Sequence, residues 1–180
     1  MKKLFLLFVA ATFVACSSEE KKVDQPINST VFVEQKLSEF IVENPGWTKD
    51  LAVEAETTDK FKRQVIKWSN ETDFLKDMPL QVKSISDTTI SDQSVKMVVF
   101  KTFTDAARAK ESLLNDLQLE ITGIFSADQV KDLEIDKKYT LKGMLYKQGK
   151  RGDVSFNPKA ESHFYSLGKY TFWNVEAKPL

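Results

Sequence analysis

Hydrophobic and polar positions change their period along the chain. Residues 4–14 are apolar almost without break, interrupted only by Thr12. From Val31 to Glu43, Phe32, Val33, Leu37, Phe40 and Ile41 recur at helical spacing, with Glu34, Lys36 and Glu39 elsewhere. That pattern predicts an amphipathic helix. Asn28, Ser29 and Thr30 are its N-cap candidates, and Asn44-Pro45-Gly46 ends it, because proline removes a donor and glycine permits the turn. A second helix is expected over Asp59 to Asn70, where Phe61, Val65 and Trp68 share a face and Thr57, Thr58 or Asp59 can cap the start. Between the two, Trp47 to Thr58 fits either regime: Leu51, Val53 and Ala55 alternate, yet the composition also suits a helix.

From Met78 onward the period is two. Alternation runs through Leu80 and Val82, then Val95, Met97, Val99 and Phe103, then Leu117, Leu119, Ile121, Gly123 and Phe125, then Tyr139, Leu141, Gly143 and Leu145. In the last segment Tyr170, Phe172, Asn174 and Glu176 alternate with Thr171, Trp173, Val175 and Ala177. A helix is expected over Asp105 to Leu117, where Ala106, Ala107, Ala109, Leu113 and Leu114 favour it. A short helical turn at Ala127–Leu133 separates the third and fourth strands. The expected architecture is therefore α+β: helices over 31–77, followed over 78–180 by five mostly antiparallel strands.

The pair LEITGIFS and YTLKGMLYK, joined by ADQVKDLEIDKK, resembles part of the OB-fold family. Gly143 sits where that family bends a coiled strand at a barrel corner. The resemblance implies an OB-like barrel over 78–180. Such barrels bind oligosaccharides or single strands by stacking them on aromatics at one face. Phe156, Phe164, Tyr165, Tyr170, Phe172 and Trp173 crowd the last segment, and alternation sets Tyr170 and Phe172 on the face opposite Trp173. One of these sets is open to a ligand if the other is core. KQGKRGDVSF adds Lys147, Lys150 and Arg151, either an anion-binding loop or a solvated turn built on Gly149 and Gly152.

The opening segment carries the address. Lys2 and Lys3 precede the apolar run, whose length suits a signal peptide and falls short of a membrane span. Phe13-Val14-Ala15-Cys16 then resembles a bacterial lipobox, with Phe13 where leucine is usual. The resemblance implies cleavage before Cys16, diacylglycerol on its thiol and an acylated new N-terminus. Several acyl chains, at about 0.8 kcal/mol per buried methylene, make a stable anchor. The alternative is an ordinary signal peptide with an incidental cysteine. Residues 16–30 are polar and predict a flexible tether. Ser17 stands where aspartate commonly retains enterobacterial lipoproteins at the inner membrane, and Glu19-Glu20 resembles the surface-export tethers of Bacteroidetes lipoproteins. Together these imply a cell-envelope protein at the outer membrane, with the membrane as partner through lipid.

Bulk properties narrow the chemistry. The 180 residues carry a formal net charge of +0, which gives no basic field for nucleic acid. Losing Lys2 and Lys3 with the signal leaves the chain slightly acidic, so lipid rather than charge holds it at a membrane. One cysteine and one histidine, His163, offer neither a disulfide nor a common zinc pattern. His163 among aromatics reads as a rim residue rather than a base. None of the six glycines sits in a phosphate-loop array. No cofactor, metal or catalytic residue is expected. The reading is a non-catalytic envelope module that binds a ligand, a protein or a glycan; the alternative is a small hydrolase using a carboxylate pair.

Overall fold

A computed structural model describes residues 25–146, 153–159 and 162–180. It contains two helices and six strands. Helix α1 is Phe32–Glu43 and buries Val33, Leu37 and Phe40. Its start is tied by Ser29, whose hydroxyl accepts the Val31 N–H at 3.1 Å, while the Gln35 side chain accepts the Ser29 N–H at 3.0 Å. Helix α2 is Leu51–Trp68, so residues 51–58 of the ambiguous stretch belong to it, while 47–49 form a turn. Asp50 caps the start by accepting the Ala52 N–H at 2.8 Å, and the alternating Leu51 is left 85% exposed. No described helix is long and apolar enough to cross a membrane.

The strands are β1 (Leu80–Ile90), β2 (Gln93–Lys101), β3 (Leu117–Phe125), β4 (Lys138–Leu145), β5 (Val154–Lys159) and β6 (Ser162–Pro179). They form one sheet in the order β3-β2-β1-β4-β6-β5. A further pairing of β3 with β6 closes five of them into a ring. That pairing is parallel and the others are antiparallel. The strand number corrects the expected five. VSFNPK forms its own strand, turning Val154 and Phe156 inward and pairing with the first part of β6.

The helix expected over Asp105 to Leu117 is absent. Turns occupy most of it, a single 3-10 turn spans Leu113–Asn115, and Leu117 opens β3. Polar side chains compete there for the backbone that a helix would need. Asp105 accepts the Ala107 N–H, Asn115 accepts the Asp105 N–H, and Ser112 accepts the Leu114 N–H. Glu34 holds the turn from outside: although 4% exposed, its carboxylate accepts from Ser29, Ser112 and the Leu113 N–H. The short helical turn expected at Ala127–Leu133 is present as plain turns over 127–132, with no helix.

Two irregularities govern β6. Its register against β3 slips between Gln118 and Leu119, where Gly168 has φ +94. Its register against β4 slips between Lys142 and Met144, where Asn174 has φ 50. Each bulge resets the alternation, so Tyr165 and Leu167, then Tyr170 and Phe172, then Val175 all point inward. One core cluster runs from α1 and α2 through the sheet.

Candidate functional site

At one end of the ring the helices close the interior with aromatic rings. Trp47, 1% exposed, lies 4.5 Å from Phe156, 5.0 Å from Phe61, 5.1 Å from Phe40 and 5.4 Å from Tyr165 by ring centroids. Its indole N–H donates to the Thr58 hydroxyl at 3.0 Å. Burial pushes the Tyr165 phenol above its ordinary range, with Asp116 adding to the effect. His163 packs on Phe156 at 5.7 Å, and its Nδ1 is buried without a partner among the described residues.

The other region is open. A groove of about 860 Å³ runs between residues 69–77 and the edge of β4, with Phe172, Glu176 and Lys178 completing its lining. That volume lies in the upper part of the usual range for ligand pockets, about 300–1,000 Å³. The groove exists because β1 pairs with β4 at only two positions, Leu80 with Tyr139 and Gln81 with Lys138. Residues 69–77, which precede β1, run beside β4 as turns rather than as a strand. Phe74 anchors them, its ring edge-on to Tyr170 at 5.2 Å.

Gly143 belongs to this site. A Cβ there would lie 3.2 Å from the Phe172 ring, 3.3 Å from the Trp173 carbonyl oxygen and 3.4 Å from a Val175 methyl. Glycine therefore lets β4 approach the β6 bulge closely. Gly143 and Leu145 hold inward-facing positions and are nevertheless only half-buried, because the groove reaches them. The wall formed by 69–77 carries Glu71, Asp73, Asp77 and Lys76, with Lys76 3.9 Å from Asp73. The strand side carries Lys142 and Lys178 against Glu176. Met144, 60% exposed, also lines the groove and is the register partner of Trp173, which packs on Tyr146 at 5.3 Å.

The sequence candidates separate accordingly. Tyr170 is 3% exposed, and its hydroxyl donates to the Leu167 carbonyl, so it is core rather than a ligand platform. Phe172, 4% exposed, supplies only part of the groove floor. The bulges turn both inward. Trp173 is half-buried on the outer face, so the expectation that it opposes Tyr170 and Phe172 holds. Lys147, Lys150 and Arg151 lie outside the described residues, as do Cys16 and most of the expected tether. The sequence pointed to neither residues 69–77 nor the β4 edge. The only available signal was Gly143, read there as a bend. Among the described residues no cluster of His, Cys, Asp or Glu is placed to hold a metal.

Comparison with protein-family models, with curated proteins and with solved structures gives no match for this chain.

Proposed function

We propose that this protein is a non-catalytic, lipid-anchored module of the cell envelope, held at the outer membrane through Cys16, whose groove along β4 binds a ligand or partner protein. Its ring of strands is an OB-like barrel with β5 added at one side. The pairing order supports the barrel: β1, β2, β3, β6 and β4 each have two neighbours in the ring, and the remaining strand joins only β6. The observation that carries the binding reading is the groove. It is the place where the inner face of β4 leaves Gly143 and Leu145 half-open, next to charged walls. The anchor rests on the residues Phe13 to Cys16 and their apolar approach.

Two experiments test this. Labelled palmitate is expected to enter the protein in a bacterial host, and Cys16→Ser is expected to abolish both labelling and membrane fractionation. A Cys16→Ser form that stays with membranes removes the anchor. Oligosaccharide and peptide mixtures titrated onto the protein are expected to move the amide signals of Lys142, Gly143 and Met144. Glycoside or ester turnover that disappears on replacing Glu71, Asp73, Asp77 or Glu176 would instead make the groove the cleft of a carboxylate hydrolase.

A further inference from the structure

We propose that the groove receives an extended polypeptide, added as a further strand on the free edge of β4. This rests on the groove being the binding site and names the class of its occupant.

The direction of the backbone groups on β4 follows from three hydrogen bonds. The Lys138 carbonyl accepts from the Leu180 N–H, and the Tyr146 N–H donates to the Thr171 carbonyl. Even-numbered positions of β4 therefore face β6. The Lys137 carbonyl accepts from the Val82 N–H, so odd-numbered positions face the other way. In an antiparallel ladder this alternation is regular, and the slip near Gly143 leaves it intact because the extra residue lies on β6. Leu141, Gly143 and Leu145 thus aim their N–H and C=O groups into the groove. The pairing of β1 with β4 stops at Tyr139, and no backbone hydrogen bond joins these residues to 69–77 among the described residues. Three donors and three acceptors stand at strand spacing along a walled trough, spanning about 13 Å from Leu141 to Leu145 at 3.3–3.4 Å per residue.

An extended peptide is the ligand that satisfies alternating donors and acceptors at that repeat. A sugar is recognised chiefly by stacking on a ring face. Here the groove's own rings, Phe74 and Phe172, are buried, and the Trp173–Tyr146 pair lies outside the lining. Charge narrows the peptide further. Glu71 and Asp77 on the wall make no ion pair with a described residue, while Asp73 has Lys76. Lys142 and Lys178 on the strand side likewise make no ion pair with a described residue, so lysine or arginine is favoured only where the peptide faces Glu71 and Asp77 on the wall.

The test uses the full chain in mild detergent, with a random heptapeptide display library as one probe and a mixture of short neutral and acidic oligosaccharides as the other. Enriched peptides are expected to be rich in β-branched residues and lysine or arginine. A synthetic copy is expected to slow exchange of the Leu141, Gly143 and Leu145 amides about tenfold or more, with little change at Thr140 and Lys142, which already face β6. N-methylating its alternate amides should abolish binding in one phase and spare it in the other. Glu71→Lys should weaken a basic peptide about tenfold, as expected for a lost attraction replaced by repulsion. No enrichment, unchanged exchange at the three amides, or tolerance of N-methylation in both phases overturns the strand proposal. If the oligosaccharides alone move Lys142 and Met144, the groove remains the binding site and the polypeptide is ruled out. If neither probe moves them, both readings fall.

Discussion

The two ends of the strand ring use similar residues to opposite effect. At the helix end, Trp47 is surrounded by Phe40, Phe61, Phe156 and Tyr165, and its one polar atom has a partner. At the groove end, Trp173 has one ring neighbour among the described residues, Tyr146, and the adjacent strand edge has no backbone partner among them. A tryptophan whose faces and N–H are all satisfied contributes to stability and has nothing left for a ligand. Strand edges with unspent hydrogen-bonding capacity contribute less to stability and can recognise something else. The difference arises at the start of β1, where Leu80 meets Tyr139 and the residues before it run as turns beside the rest of β4.

The strongest way to break this contrast is at the filled end. Trp47→Ala is expected to lower unfolding free energy by about 3–5 kcal/mol, the usual cost of truncating a buried aromatic, measured by urea denaturation. A loss under about 1 kcal/mol would mean that the helix end is not the stability centre. Gly143→Ala acts at the other end and should cost about 1–3 kcal/mol, because its new methyl meets the Phe172 ring and the Trp173 carbonyl. It should also disturb amide shifts along β4 more than those around Trp47. Trp173→Ala should cost about 1 kcal/mol, set by a half-buried ring and one aromatic neighbour. If Trp173→Ala proved as costly as Trp47→Ala, the groove shelf would be core and the contrast would collapse.

How much of this could be read from sequence depended on whether a local pattern decided the outcome. The α1 range was legible because its apolar face, the Asn44 stop and the burial of Val33, Leu37 and Phe40 agree. The start of α2 was not, since Leu51 and Val53 alternate like a strand but point largely to solvent. Asp50, capping Ala52, fixes that start instead. The expected helix after Asp105 failed because alanines favour a helix without specifying a face, while Asp105, Ser112 and Asn115 take up the local backbone groups. The long-range contact from Glu34 to Ser112 and Leu113 has no local trace at all. In β6 the aromatic alternation was visible, but the bulges at Gly168 and Asn174 that set its phase depend on pairing with β3 and β4. The groove was illegible for the same reason: it is made by a pairing that stops, and its other wall lies in turns far from β4 in sequence.

The smallest expected effect is at Asp105, and it asks whether β4 is held at its base independently of the groove. The Asp105 carboxylate lies 2.9 Å from the Lys138 ammonium at the start of β4. The same lysine lies 4.6 Å from the centre of the Phe103 ring, which Arg108 approaches at 4.4 Å. The hydrogen bond from Lys138, then that from the Ala107 N–H, holds the Asp105 carboxyl below its ordinary value of 3.8. A carboxyl depressed in the folded state stabilises the fold above the unfolded value and loses that contribution as pH falls through the folded one. Asp105→Asn should therefore melt slightly lower than the parent at neutral pH, and the two curves should converge as pH falls through the depressed folded-state value. The pair is exposed to solvent, so the neutral-pH difference should also shrink in high salt. If the difference persists at low pH, the lost contribution is the turn geometry around Ala107 rather than charge. If the amides of Leu141, Gly143 and Leu145 exchange faster in the variant, the base of β4 and its open edge are one unit, and the two ends of the ring are less independent than their packing implies.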